Sequence, residues 1–156
     1  MDLEATLLSL LAEAGATWEI LDHAPIASAA EAAALRGTAL EEGGKALVMK
    51  LDRIGFAVLA LGGDRRVDGK ALRRGFGIQR YRFARREELR DLTGLAPGAV
   101  PPFGRPVFDL PLFVDADLAA GARIAFTLGR PDRSVLLDTA AWLRAARPEE
   151  ILPLAT

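Results

Sequence analysis

The chain of 156 residues has no cysteine and a single histidine, His23. The first absence excludes a disulfide framework, a thiolate nucleophile and any cysteine-based metal site. The second excludes every site that needs two imidazoles. No phosphate-loop signature, dinucleotide glycine fingerprint, His-Glu-x-x-His pattern or serine in a nucleophile-elbow context is present. An enzyme built from this sequence is therefore expected to use no metal and no cofactor. It would work by positioning, charge and backbone amides, with help from a group of its own substrate. Long apolar runs are also missing, none approaching the ~20 residues of a membrane span, and the opening Met1-Asp2-Leu3-Glu4 is acidic where a secretory leader is basic. These absences set the expectation of a cytoplasmic protein with no membrane partner.

What the chain does contain is 51% hydrophobic residues, ample for one buried core, and no linker, repeat or low-complexity tract. One domain over residues 1–156 is expected. The formal net charge is −1, but the sign is unevenly spread. Residues 1–44 hold eight acids and one base, Arg36; residues 45–90 hold thirteen bases and five acids; residues 91–156 hold six and eight. Ten of the bases lie between Arg65 and Arg90. Arg65, Arg66, Lys70, Arg73 and Arg74 head that run and are the candidate contacts to an anionic polymer such as RNA. The general arginine bias carries less weight, because a GC-rich genome produces it without function.

Leucines at helical spacing from Leu3 to Leu11, closed by Gly15, predict a first helix. Thr17 to Leu21 alternates as a strand, and Ser28 with Glu31 ahead of an alanine run marks a capped helix reaching about Leu35. Lys45 to Leu51 and Phe56 to Leu61, joined by Asp52-Arg53-Ile54-Gly55, read as a hairpin of buried strands in the middle of a sheet. Asp68 caps a short basic helix, Gln79 to Ala84 reads as a strand, and Arg85 to Leu92 as a helix closing at Gly94. Further strands are expected at Pro106 to Leu110, Leu112 to Val114, Arg123 to Leu128 and Ser134 to Leu137, followed by a helix from Thr139 carrying Trp142. Short helices among many strands give an α+β class with a mixed, strongly curved sheet.

Between the two patterned halves lies Gly94-Leu95-Ala96-Pro97-Gly98-Ala99-Val100-Pro101-Pro102-Phe103-Gly104, which suits neither helix nor central strand. Proline lacks an N–H and glycine lacks a side chain, so such a loop presents its remaining amides to whatever lies against it. An ordinary rigid connector has the same composition. Lys45, at the mouth of a buried strand, either snorkels to solvent or faces a cleft where an anion meets it. His23, before a proline turn, is either a hydrogen-bonded corner or a pocket group.

Four segments taken together resemble the YbaK/ProX family of trans-editing aminoacyl-tRNA deacylases, which is also similar to the editing domain inserted in bacterial prolyl-tRNA synthetases. They are His23-Ala24-Pro25 with Ser28 and Glu31; Lys45 to Lys50; Gly63 to Asp68 with Lys70-Ala71-Leu72; and Gly94 to Gly104. Their order and spacing span nearly the whole chain. The resemblance implies hydrolysis of the ester joining a wrong amino acid to the terminal ribose of a tRNA, in trans, with the acceptor end of mischarged tRNA as substrate. An aminoacyl-tRNA synthetase is a further partner that it allows. It makes Lys45 and Gly98 the catalytic groups, and the Gly98-Ala99-Val100-Pro101-Pro102 stretch the counterpart of the family's Gly-x-x-x-Pro loop. His23, Ala46, Pro102, Phe103, Gly104, Asp132 and Ser134 become substrate-binding residues by the same resemblance. A lysine and an amide-rich loop on one cavity would cradle a developing oxyanion, with water or a substrate group as nucleophile and the ribose hydroxyl assisting.

Ala46 stands where many relatives carry a hydroxyl or amide, and Leu21 where some carry tyrosine. The implied substrate is alanine or cysteine on the prolyl tRNA. A module of the same fold that binds tRNA without hydrolysing it is the competing expectation.

Overall fold

The computed structural model describes residues 2–156. Its organising element is the hairpin of β2 (Gly44–Leu51) and β3 (Gly55–Gly62), paired antiparallel along its full length from Gly44 with Gly62 to Leu51 with Gly55. The apolar run in β3 is continuous because both of its faces are covered. Val58 and Ala60 point into one buried cluster, and Ala57, Leu59 and Leu61 into the other. Around this hairpin a five-stranded mixed sheet adds β4 (Tyr81–Phe83) to the free edge of β2. Beyond β3 it adds β5 (Leu112–Asp115) and β8 (Glu150–Leu152), each parallel to its inner neighbour.

The remaining strands, β1 (Trp18–Asp22), β6 (Arg123–Arg130) and β7 (Arg133–Asp138), form a separate antiparallel sheet in the order β1-β7-β6. The α+β class thus holds, with the strands distributed over two sheets. A parallel bridge from Gly43 to Ala125 ties the sheets together at the start of β2. The larger core lies between them and is closed by α1 (Leu3–Glu13) and α6 (Thr139–Ala146). The smaller core is covered by Leu72 of α3 (Gly69–Phe76).

Local signals explain most of the element ends. The Ser28 hydroxyl accepts the Glu31 N–H (3.1 Å) at the start of α2 (Ala29–Arg36), and the Asp68 carboxylate accepts the Lys70 N–H (3.0 Å) at the start of α3. At α4 (Arg86–Thr93) it is Glu88 that accepts the Arg85 N–H (2.8 Å). A four-residue helix, α5 (Ala116–Ala119), follows β5.

One expectation needs correction. The run from Pro106 to Leu110 is not a strand: the N–H groups of Val107 and Phe108 both turn back onto the Gly104 carbonyl (2.9 and 3.0 Å). Val107, Phe108 and Leu110 are buried together, so the β-like composition reflects a turn sunk into the core. Strand β8, three residues with no period of their own and no counterpart among the expected strands, is held by pairing with β5. Among the described residues no helix is long and apolar enough to cross a membrane.

Candidate active site

The two sheets diverge from β2, and the site lies in the fork. On the flank of β2 away from β3, Gly43 meets Ala125 of the small sheet, while the Val48 carbonyl accepts the Ala84 N–H (2.9 Å) just beyond β4. Between these ties, the segment 44–47 has no strand partner on that side. A cavity of about 380 Å³ fills the gap. Lys45, Ala46 and Leu47 form its floor, α2 and Thr127 of β6 its sides, and the stretch from Ala96 to Val100 its far wall. That volume falls within the roughly 300–1,000 Å³ of small-ligand sites.

Lys45 and Gly98, some fifty positions apart in sequence, therefore border one hollow. The Lys45 ammonium donates to the Arg65 carbonyl, which uses one of its three donors. Burial pulls its pKa below that of an ordinary lysine, the Asp64 carboxylate partly offsets this, and Arg66 adds to it. Gly98 has φ +86°, which L side chains rarely adopt, although a Cβ there would touch nothing within 4 Å. Its glycine is demanded by backbone angle rather than by space. Ala99 N–H closes the turn onto the Ala96 carbonyl (3.1 Å), while the N–H groups of Gly98 and Val100 have no partner among the described residues. Unused amides on a cavity wall suit an oxyanion.

Pro102, Phe103 and Gly104 do not line the cavity and serve instead as its anchor. The Pro102 carbonyl accepts the buried indole N–H of Trp142 (3.0 Å), and Phe103 is fully buried edge-on against Phe126. A Cβ on Gly104 would lie 2.5 Å from the Leu110 carbonyl oxygen. The Pro102 and Phe103 side chains and the close-packed Gly104 backbone are spent on the core, so the expected substrate contact is corrected to a supporting place.

Asp132 is also turned away: its carboxylate forks onto Arg130 (3.0 Å to each oxygen), and it is the neighbouring Pro131 that reaches the cavity. The Arg130 guanidinium holds the Asp132 carboxyl below its ordinary range.

His23 and Ser134 stand one layer behind the wall. His23 Nδ1 lies 2.8 Å from the Ala24 carbonyl, which can only accept, so this nitrogen carries the proton. In the neutral ring Nε2 must then accept, and it lies 2.8 Å from the hydroxyl of the fully buried Ser134. The same hydroxyl accepts Arg36 Nε–H (2.9 Å). This chain aims Arg36, a cavity-lining residue that sequence reasoning missed. Its guanidinium has no carboxylate partner among the described residues, and burial pushes its pKa down to about 10, leaving it charged at neutral pH. The available signal was that Arg36 is the one base among the first 44 residues.

Thr127 was missed too, its hydroxyl lacking a partner among the described residues. The same residues hold no cluster of metal-ligating side chains.

Of the basic set, Arg65 contributes its carbonyl to Lys45 and its guanidinium to Asp117 (3.1 Å) and Asp64 (3.5 Å). Arg66, Lys70 and Arg74 are exposed, and Arg73 lies over the Tyr81 ring at 5.2 Å.

The chain is 38% identical to the multifunctional Ser/Thr-tRNA deacylase ProXp-y of Escherichia coli (strain K12), over 92% of this chain and 87% of that protein. Among solved structures it matches the hypothetical protein APE2540 with a TM-score of 0.82 at 26% identity, covering 96% of this chain and 99% of the other. It also matches a provisionally assigned trans-editing enzyme for prolyl tRNA synthetase, with a TM-score of 0.80 at 25% identity, over 100% and 98% of the two chains. The aminoacyl-tRNA editing domain model matches residues 23–145, a span that holds every residue lining the cavity and its support at Trp142, and the chain belongs to the aminoacyl-tRNA editing domain family.

Proposed function

We propose that this protein is a trans-acting deacylase that hydrolyses the ester of seryl- or threonyl-tRNA, with the aminoacylated terminal ribose in the fork cavity. The observation that carries the reading is the meeting of Lys45 and the unpartnered Gly98 amide on one small hollow. Water attacks the ester carbonyl and a C–O bond forms. The negative charge that develops on the carbonyl oxygen is met by the amide and the ammonium. Collapse breaks the bond to the ribose oxygen, which leaves with a proton supplied through the vicinal hydroxyl. The products are the free amino acid and an uncharged tRNA end. No side chain need act as nucleophile, consistent with a chain lacking cysteine.

A hydroxylated amino acid suits the polar side of the cavity. Arg36 and Thr127 bring unused hydrogen-bonding groups to a site otherwise walled by Ile26, Ala46 and Leu47. Sites that hydrogen-bond a substrate hydroxyl discriminate strongly against analogues lacking it. The Ser/Thr-tRNA deacylase at 38% identity supports the same choice. Alanine or cysteine on the prolyl tRNA is the second reading, favoured by the small apolar floor at Ala46 and by the resemblance to the prolyl editing group.

Hydrolysis of seryl-, threonyl-, alanyl- and cysteinyl-tRNA, measured side by side, separates these readings. Lys45→Ala is expected to lower kcat by about 100- to 1,000-fold, the usual cost of losing one oxyanion donor, while tRNA binding persists. Binding without hydrolysis of any of the four substrates leaves only a non-catalytic tRNA-binding module.

A further inference from the structure

The basic residues of the molecule divide sharply by the company they keep. Among the thirteen in residues 45–90, only Arg65 and Arg82 pair with a carboxylate of the described residues, whereas Arg105, Arg123, Arg130 and Arg133 do so among the seven elsewhere. Unneutralised arginines crowd around β4, the short edge strand. A shallow cleft of about 830 Å³ runs there, bordered by Lys50, Arg53, Arg73, Arg80 and Arg82, with Arg82 paired to Glu88 and Asp52 the one acid in the lining. In the same strand Phe83 is 57% exposed, the most exposed of the large apolar side chains among the described residues. Arg85 and Arg86, both exposed, follow it directly.

Register places this aromatic beside the proposed active site. Phe83 is paired with Met49, so it lies on the same sheet face as Lys45 and Leu47, one strand over and four residues along from Lys45. At ~3.3 Å per residue and ~4.8 Å per strand, the two Cα atoms are about 14 Å apart. β4 ends at Phe83, and the unpaired flank of β2 that opens into the cavity begins just past it. The aromatic therefore stands at the end of β4, between the strand residues that border the basic cleft and the unpaired flank of β2 that opens into the cavity.

We propose that the β4 edge is the track for the single-stranded 3′ end of the substrate RNA, with Phe83 stacking on an unpaired base a short way back from the ester and Arg53 and Arg80 holding phosphates of the approaching strand. This rests on the deacylase reading above. An exposed aromatic beside a cleft in which Arg53 and Arg80 pair with no carboxylate of the described residues combines the two contacts that single-stranded RNA offers, a base face and a phosphate backbone. A protein partner would call for a larger apolar patch than this one ring.

The test uses the intact protein. Phe83→Ala is expected to raise KM for seryl-tRNA about 10-fold, the order of effect of losing one base-stacking contact, with kcat within about 2-fold. Phe83→Tyr should restore the wild-type value, and 3′-seryl-adenosine, which has no upstream base, should be hydrolysed equally by all three proteins. Arg53→Ala with Arg80→Ala should weaken binding of uncharged tRNA and flatten its dependence on salt.

Wild-type KM in Phe83→Ala would overturn the proposal, as would an equal loss on 3′-seryl-adenosine, which would mark a folding defect. Should wild-type protein hydrolyse no aminoacyl-tRNA, the deacylase reading fails. Binding of uncharged tRNA to Phe83→Ala and Phe83→Tyr then still decides the track: equal affinity for all three proteins rejects it, and weakening in the alanine variant alone supports it.

Discussion

The stretch from Gly94 to Gly104 is chemically uniform but physically two things. Its first half, Ala96 to Ala99, turns on the positive φ of Gly98 and leaves amides unused at the cavity wall. In its second half, Pro101 to Gly104, every residue is buried, with a carbonyl fixed by Trp142 and a ring fixed by Phe126. A loop that must hold donors still for an oxyanion needs a rigid foundation, because stabilisation by fixed dipoles is lost if they must reorganise during the reaction. The difference between the halves is therefore a division of labour: one is ordered by the core so that the other, with little to hold it, stays in place.

The strongest way to test that division is to remove the foundation. Phe103→Ala empties a fully buried aromatic site and is expected to cost about 3–5 kcal/mol of stability. Urea unfolding measures it, and the loss should appear as a lower midpoint with an unchanged slope. A near-neutral result would mean that the second half is not an anchor.

Gly98→Ala probes the exposed half and should behave oppositely. The added Cβ meets nothing, so only the left-handed backbone is penalised, by roughly 1–2 kcal/mol. If the chain relieves that strain by rotating the turn, the Gly98 amide leaves its position, and kcat should fall by more than the stability change explains. Activity equal to wild type in a well-folded Gly98→Ala protein would detach the turn from catalysis.

The same contrast shows what the sequence could and could not reveal. Both halves read alike because composition reports backbone restriction, and burial depends on partners such as Trp142 and Phe126, far along the chain. Caps at Ser28 and Asp68 and the β2–β3 hairpin were legible, being fixed by neighbours within a few residues. Lys45, Ala46 and Gly98 share one cavity, a placement implied only by the resemblance of four separate segments to one family. Arg36 carries no such local signal, because the hydroxyl that orients it toward the cavity belongs to Ser134, 98 positions away. The fork itself had no local signal at all, since it exists where two sheets part company from one strand.

The smallest expected effect separates the two kinds of oxyanion donor. A backbone amide does not titrate, but Lys45 does, and burial holds its folded pKa below the ordinary lysine value. Activity that depends on the ammonium is full below the folded pKa and declines as pH rises through it. The alkaline limb, after subtraction of uncatalysed ester hydrolysis, should thus lie below the pH at which a free lysine titrates. Lys45→Arg, whose guanidinium keeps its charge, should move that limb upward even if its kcat is lower.

For stability the sign is the reverse. Between the depressed folded pKa and the ordinary one, the unfolded chain binds more protons at this site, so stability rises slightly with pH across that window. In Lys45→Met the slope should vanish, and with it the alkaline limb, leaving a residual rate carried by the Gly98 turn alone.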